Sequence, residues 1–140
     1  MRVVLDTDVI VAALRSPTGA SAAVLRSIRQ GRGTLLLSAA LLIEYEATCQ
    51  LAEHRLASGL TAGEVEAFLD GLAFLAEPVE VHYRWRPQLQ DPGDEMVLEA
   101  AVNGRAHALV TFNRRDYGEV PETFGVEVLS PAEVLRRIRG

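Results

Sequence analysis

Arg2-Val3-Val4-Leu5-Asp6, at the start of the chain, is a short apolar run that ends directly in a carboxylate. A continuous apolar run of this length is typical of a buried strand in a parallel sheet. Val110-Thr111-Phe112-Asn113 repeats the arrangement, with small polar groups following a second apolar run. Ligand sites of open α/β sheets lie at the carboxyl ends of the strands. The two stretches therefore predict a parallel sheet whose polar edge carries the function.

Strands alternate with helices along the rest of the chain. Short strand-like segments predict the strands, at residues 2–5, 34–37, 79–82, 108–111 and 126–129. The segments between them carry apolar residues at helical spacing, which indicates a sheet covered by helices on both faces. We therefore predict an α/β fold, a three-layer α/β/α arrangement with a central parallel sheet of four to five strands. A length of 140 residues predicts a single domain over residues 1–140.

Side chains that favour helix starts locate several of the helices. Ser38 is a good N-cap and predicts one long helix that runs to about Leu56. Thr61 with Glu64 predicts a capping box at the next helix. Ser130-Pro131-Ala132-Glu133 predicts another capping box, with proline in the first turn of the last helix. The long helical stretch before the third predicted strand is expected to form a hairpin.

Composition excludes several classes of protein. Hydrophobic residues make up 49% of the chain and charged residues 24%, which is typical of a globular domain with its own core. The single Cys49 excludes an internal disulfide, and His54, His82 and His107 lack the spacing of a zinc site. No apolar run approaches the ~20 residues of a membrane span, and a strand at residue 2 leaves no room for a signal peptide. We expect a cytoplasmic protein that does not enter the membrane.

Four acidic residues lie at strand ends or helix starts, namely Asp6, Glu44, Asp94 and Asp116. Such positions converge on one crevice of a parallel sheet. Two carboxylates ~4 Å apart repel by roughly 4 kcal/mol at an effective dielectric of ~20, so protons or a divalent cation must offset the charge. Oxygen ligands without Cys or His suit Mg²⁺ or Mn²⁺. The pattern predicts a hard-metal site, with metal-assisted phosphodiester hydrolysis as the leading chemistry.

The charge balance leaves RNA open as a partner. A net charge of −5 and an isoelectric point near 5.2 are unusual for a nucleic-acid binder. The four candidate metal ligands nearly account for that charge, and bound cations would offset it. Every one of the 14 basic residues is an arginine, a side chain that contacts phosphate through a bidentate fork.

Each acidic candidate also has a structural explanation. Asp6 is a good N-cap for the helix that follows it, and either Asp94 or Asp91 is a good N-cap for the helix that runs to about Asn103. Glu46 is as plausible as Glu44 from helical spacing, so the pattern alone leaves that choice open. Asp8 is either a helix-start charge or a group that supports the site, and we favour the former interpretation.

Polar and basic side chains surround the fourth predicted strand and the segment before it. Thr111 and Asn113 lie just past the strand end, where an Asx turn would also explain them. Arg114 and Arg115 either contact phosphate or are solvated. Tyr83-Arg84-Trp85-Arg86 alternates aromatic and basic residues in a pattern usable for stacking on bases, although an edge strand is the commoner explanation.

Taken together, the motifs resemble the PIN domain family, in particular its bacterial toxin-like (VapC-type) branch. The resemblance spans nearly the whole chain in order and spacing. It rests on five segments, namely Val4-Leu5-Asp6-Thr7-Asp8-Val9, Ser38 with Leu42-Ile43-Glu44, Asp91-Pro92-Gly93-Asp94-Glu95 leading to Glu99-Ala100-Ala101, Leu109-Val110-Thr111-Phe112-Asn113-Arg114-Arg115-Asp116, and Val128-Leu129-Ser130-Pro131-Ala132-Glu133.

The resemblance implies a function and a set of site residues. It makes the acidic site from Asp6, Glu44, Asp94 and Asp116, choosing Glu44 over Glu46, with Thr111 and Asn113 in support. Some members carry an acid where this chain has Asn113. Because the amide replaces a carboxylate ligand, a second tightly held ion is not implied. The resemblance also implies a PIN-like fold with a Rossmann-like parallel sheet. It further implies Mg²⁺ or Mn²⁺ as cofactor, single-stranded RNA as substrate, a homodimer, and an antitoxin protein that blocks the site.

Two other enzyme classes share an acidic first strand. Asp6-Thr7-Asp8 is similar to the nucleophile motif of haloacid-dehalogenase-type phosphatases, and response-regulator receivers also carry early acids. Both classes need a lysine, and the chain has none. A further alternative, from a different class, is a PIN-like module that binds RNA or a protein with little or no catalysis.

Overall fold

The computed structural model describes residues 1–84 and 86–139, so Trp85 of the predicted stacking segment lies outside the described residues. Its strands are β1 Arg2–Leu5, β2 Thr34–Leu37, β3 Glu77–Pro78, β4 Ala108–Val110 and β5 Glu127–Leu129. They form one five-stranded sheet in the order β3-β2-β1-β4-β5, with every neighbouring pair parallel. Helices flank this sheet, and the predicted α/β fold is confirmed.

One to three helices follow each strand. They are α1 Thr7–Arg15, α2 Ala20–Arg29, α3 Ala39–Cys49, α4 Ala52–Ser58, α5 Ala62–Leu75, α6 Pro92–Asn103, α7 Arg114–Tyr117, α8 Val120–Thr123 and α9 Pro131–Arg139. Helix α2 packs against α9, and α3 packs against α5 and α6. Within residues 1–84 and 86–139, no helix is both long and apolar enough to cross a bilayer.

The central strand β1 places the polar edge of the sheet. Val3, Val4 and Leu5 are fully buried, and the strand pairs with β2 on one side and β4 on the other. The chain runs outward from β1 to β3 and then returns to β4, so the strand order reverses between β1 and β4. Leu5 pairs with Val110, which sets the carboxyl ends of these two strands side by side. A crevice at such a reversal is the usual ligand site of an open parallel sheet.

The predicted caps of α3, α5 and α9 are confirmed, whereas α6 is capped by Asp91 and not by Asp94. The Ser38 hydroxyl accepts from the Leu41 N–H at 3.1 Å, and Thr61 and Glu64 form a reciprocal capping box at the start of α5. Ser130 and Glu133 form the second reciprocal pair at α9, with distances of 3.2 and 3.3 Å. These local bonds satisfy N–H groups that the first turn of a helix leaves without partners.

The prediction of one long helix from Ser38 to Leu56 is wrong, because the chain breaks between α3 and α4. Leu51 adopts an extended backbone, with φ −58° and ψ 138°, and a new helix begins at Ala52. The apolar spacing continues across the break, but Leu56 is 84% exposed and belongs to no core. Leucine is a good helix former, so the local sequence around Leu51 does not predict the break between α3 and α4.

The third strand lies earlier and is shorter than predicted. It comprises Glu77–Pro78, and one further hydrogen bond joins the Val79 N–H to the Leu37 carbonyl at 3.0 Å. Proline is tolerated because β3 is the edge of the sheet. The residues after Val79 do not continue the ladder, because Asn103 of α6 takes their N–H groups. Its Oδ1 accepts from both His82 and Tyr83 at 3.0 Å.

Candidate active site

The structure brings all four predicted acidic residues to one pocket. Asp6 comes from the junction of β1 and α1, Glu44 from α3, Asp94 from α6 and Asp116 from α7. They line a pocket of about 350 Å³ together with Asp8, Asp91, Asn113, His54 and their neighbours. This acid pocket lies at the carboxyl ends of β1 and β4, where the strand order reverses.

Glu44, rather than Glu46, faces the acid pocket. Glu44 is half-buried, and its Oε1 lies 3.4 Å from the Thr48 hydroxyl, whereas Glu46 is exposed and lines no part of the pocket. A Cβ atom built on Gly93 would lie 3.5 Å from Glu44 Oε1 and 3.2 Å from an oxygen of Asp91. A side chain at residue 93 would therefore crowd the Asp91 carboxylate, and it would be in ordinary van der Waals contact with Glu44.

Asp6 is held by hydrogen bonds to both of its oxygens. The N–H of Thr7, the first residue of α1, donates to Oδ1 at 2.7 Å, and the Thr111 hydroxyl donates to Oδ2 at 2.7 Å. The Asn113 N–H in turn donates to the Thr111 hydroxyl at 2.9 Å. Thr111 is fully buried and Asp6 is 7% exposed, so this chain of bonds fixes the carboxylate firmly. Asp6 therefore both caps α1 and lines the acid pocket.

Asp8 belongs to the same pocket, and our interpretation of it as a helix-start charge misses this. One oxygen, Oδ2, accepts from the Asn113 side-chain amide at 2.9 Å and from the Phe112 N–H at 3.2 Å. The other, Oδ1, is buried and has no hydrogen-bond partner among the described residues. Asp8 therefore links α1 to the loop after β4. The adjacency of β1 and β4 is the signal that would have identified it.

Tyr117 is a second residue that sequence reasoning misses. Its side chain is 1% exposed, and its hydroxyl lies 3.4 Å from Asp94 Oδ1 as a donor. Burial, together with the charges of Asp6 and Asp94, raises the pKa of Tyr117 far above its ordinary value. The phenol therefore stays protonated, and its hydroxyl remains a hydrogen-bond donor to Asp94.

Burial and mutual repulsion disfavour the charged forms of three carboxyls. Burial raises the pKa of Asp6, although hydrogen bonds from Thr111, Tyr117 and the Thr7 N–H oppose the change. Burial, followed by the charge of Asp6, raises the pKa of Asp8 to about 7. Burial, followed by the charges of Asp6, Asp91 and Asp116, raises the pKa of Asp94 to about 6. No arginine is among the described residues that line the acid pocket.

The donor set fits a hard divalent cation in its chemistry. The candidates are carboxylate oxygens whose repulsion a cation would relieve, and Asp8 Oδ1 is an orphaned buried acceptor beside them. Across residues 1–84 and 86–139, however, no three Asp, Glu, His or Cys side chains already stand close enough to bind one ion. Side-chain movement in the pocket would be needed to complete the coordination.

The acids at the start of α6 divide between two roles. Asp91 caps the helix by accepting from the Gly93 N–H at 2.8 Å, and Asp91 and Asp94 both line the acid pocket. Glu95 turns away and is 3% exposed. Its Oε1 accepts from the N–H groups of Gln88 and Leu89 at 2.7 and 2.8 Å. Glu95 therefore anchors the loop before α6 and contributes nothing to the pocket.

Comparison with known proteins identifies the family. The family model described as PIN domain matches residues 2–115, so the chain belongs to the PIN domain family. No curated protein matches the chain. A solved structure described as VapBC2 from Rickettsia felis, bound to a DNA fragment from their promoter, is similar with a TM-score of 0.63 and 15% identity. The match covers 93% of this chain and 98% of that chain, and at this identity it establishes a shared fold.

Proposed function

We propose that this PIN domain is a metal-dependent ribonuclease that hydrolyses phosphodiester bonds of single-stranded RNA. One observation carries the proposal. Asp6, Glu44, Asp94 and Asp116, far apart in the sequence, line a single pocket at the point where the strand order of a parallel sheet reverses. Buried and half-buried carboxyls with raised pKa values, in a pocket whose described lining has no arginine, are typical of a functional site.

The proposed division of labour follows from the contacts in the pocket. Asp6, Glu44, Asp94 and Asp116 would hold Mg²⁺ or Mn²⁺. When bound, the ion supplies a water of lowered pKa and stabilises charge on the phosphate. Thr111 and Asn113 keep Asp6 oriented through the bonded chain that ends at its Oδ2. Asp8 fixes the loop after β4 by accepting from Phe112 and Asn113.

Cleavage of a labelled RNA by the purified protein tests the proposal. Wild type is incubated with several single-stranded RNAs and Mg²⁺ or Mn²⁺, beside Asp6→Asn and Glu46→Gln prepared in the same way. We expect cleavage by wild type and Glu46→Gln, because Glu46 lies outside the pocket, and none above background by Asp6→Asn. Equal cleavage by all three proteins would point to a contaminating nuclease or to another site.

We further propose that the protein is the toxin component of a type II toxin–antitoxin system and acts in the cytoplasm. The fold shared with a VapBC2 protein supports this role. The proposed partners are a cognate antitoxin protein and a second copy of the chain in a homodimer. Expression should arrest growth, and Asp6→Asn or a small protein encoded by an adjacent gene should relieve the arrest. Harmless expression without such a neighbour would favour a housekeeping nuclease.

A module that binds RNA or a protein but cleaves poorly is the alternative. The spacing of the acids favours it, since within the described parts of the chain no three of them are already at ligand distance. The same cleavage assay separates the two functions. RNA binding without cleavage by wild type, at any Mg²⁺ or Mn²⁺ concentration, would select the binding module.

A further inference from the structure

A second, larger groove opens from the acid pocket. It measures about 630 Å³, within the ~300–1,000 Å³ range of pockets that enclose small organic ligands. Asp91, Asp94 and Asp116 line both cavities, so the two are continuous at the acids. Residues 88–91 form one wall of this groove, and residues 115–118 with Val120 form the other. The groove therefore leads away from the acidic site between two walls of the same chain.

The walls are held in place by buried side chains. Glu95 accepts from the backbone of Gln88 and Leu89, which anchors the first wall to α6. Tyr117, which belongs to the second wall, is 1% exposed and packs within the hydrophobic core. Gly118, with φ 53°, turns the chain directly after it in a conformation that favours glycine. The groove is therefore preformed rather than a gap between loose loops.

The two neighbouring arginines of α7 differ in their surroundings. Arg114 forms an ion pair with Glu133 at the start of α9, and it does not line the groove. Arg115 is exposed and lines the groove, and no carboxylate in the described parts of the chain forms an ion pair with it. Among the described residues of the groove, Arg115 is the basic one. Its guanidinium is thus available for an anion that approaches the acids along this path.

We propose that the groove is the path of the RNA strand and that Arg115 holds a phosphate adjacent to the scissile one, an inference that rests on the proposed nuclease function. A guanidinium matches phosphate in a bidentate geometry. It also offsets the repulsion between the strand and the carboxylates at the head of the groove. The exposed amides of Gln88 and Gln90 face the same path and can bond to sugars and base edges. Arg115 is a positioning residue for the substrate.

Binding and cleavage by a matched pair of variants test this role. Arg115→Ala and Arg114→Ala each remove one arginine of the same helix, and only the first faces the groove. Binding of a fluorescein-labelled single-stranded RNA is measured by anisotropy with Asp6→Asn protein, which prevents cleavage. Arg115→Ala should raise Kd by about tenfold, as expected for a lost charge-assisted bond to phosphate. It should also flatten the slope of log K against log salt by about 0.7 for one phosphate.

Arg114→Ala should leave the Kd and the salt slope unchanged. Arg115→Lys should restore the salt slope and part of the affinity, because it keeps the charge and loses the fork. In the cleaving protein, Arg115→Ala should raise KM and leave kcat within a few-fold. Arg115→Gln repeats each measurement, and thermal unfolding of both variants checks that the fold is intact.

The groove proposal and the nuclease proposal fail in different ways. If Arg115→Ala and Arg114→Ala weaken binding equally, or if the salt slope does not change, the groove is not the RNA path. If wild type cleaves RNA and Arg115→Ala has the same KM, the nuclease stands and the role of Arg115 falls. If wild type cleaves no RNA but Arg115→Ala alone loses affinity, the nuclease falls and the groove remains as a binding site. Absence of RNA binding by wild type overturns the groove.

Discussion

Two sets of buried carboxylates in this protein have opposite surroundings. Glu95 and Glu99 of α6 are 3% and 7% exposed, and both accept hydrogen bonds from the segment before the helix. Glu95 accepts from two backbone N–H groups, and Glu99 forms a two-point ion pair with Arg86 at 2.7 Å for both bonds. Asp6 and Asp8, across the sheet edge, are also buried or half-buried, yet no arginine is among the described residues of their pocket.

This difference in surroundings distinguishes acids that stabilise the fold from acids that we assign to the functional site. Paired acids fasten the loop before α6, because Glu95 Oε1 and both oxygens of Glu99 accept from donors of that loop. The acids of the pocket instead crowd one another, which raises the pKa of Asp6, Asp8 and Asp94. Burying a charge without a partner lowers stability, so such a cluster persists where a function needs it. Burial of a carboxylate alone does not mark a site, but several carboxyls that line one pocket and raise one another's pKa do.

The largest expected effect is on cleavage by the pocket acids. Asp6→Asn should lower the rate of RNA cleavage by about 100-fold or more, comparable to removing one electrostatic stabiliser from an active site. The same change should leave the metal-free protein at least as stable at pH 8, because it removes a buried charge that repels its neighbours. Cleavage kinetics and thermal unfolding measure the two effects. A large loss of stability would show that Asp6 is architectural, like Glu99.

The reverse behaviour is expected for the paired acids. Glu99→Ala should lower the free energy of unfolding by about 2–4 kcal/mol, because it strands the Arg86 guanidinium and opens a buried position. Denaturant unfolding measures the loss. Glu66→Ala, an exposed glutamate on α5, is the control and should change stability by no more than ~0.5 kcal/mol. Equal effects of the two substitutions would break the distinction between paired and surface acids.

Glu44 and Glu46, which lie in one turn of α3, allow a pocket acid to be compared with a nearby surface acid. Glu44→Gln should lower cleavage by about tenfold at limiting Mn²⁺, as is usual when a group around a bound metal is altered. Glu46→Gln should behave as wild type, since its side chain is exposed outside the pocket. Metal titrations of the cleavage rate distinguish the two variants. A loss confined to Glu46→Gln would reassign the site.

The smallest expected effect is on the pH dependence of stability, since partial exposure screens the charges. The raised pKa values of Asp8, about 7, and Asp94, about 6, mean that the folded protein holds protons that the unfolded chain has released. The metal-free protein should therefore lose stability as pH rises from about 4 to about 7. Asp8→Asn should flatten this fall in thermal unfolding. An unchanged profile in Asp8→Asn would contradict the shift.

Much of this comparison could be predicted from the sequence. The apolar runs that end in Asp6 and Thr111 predicted two strand ends at one crevice, and the resemblance selected Glu44 over Glu46. Asp8 could not be assigned in this way, because its partners Phe112 and Asn113 are distant in the chain. They become neighbours only when β1 pairs with β4.

Other features had no local signal at all. Asp94 and Glu95 are consecutive in one helical turn, and only packing decides that one faces the pocket and the other faces the loop. The break at Leu51 likewise interrupts a segment of good helix formers. The different surroundings of Arg114 and Arg115 depend on Glu133, which lies on the last helix. Each of these is fixed by contacts between elements rather than by spacing within one.

The gathering of acids into a cation site is tested most directly by an anomalous-scattering map of crystals soaked in Mn²⁺. We predict a peak in the pocket between Asp6, Glu44, Asp94 and Asp116, and its loss in crystals of Asp6→Asn. The paired acids Glu95 and Glu99 should attract none. A map with no peak in that pocket, at Mn²⁺ concentrations that support cleavage, would contradict the account.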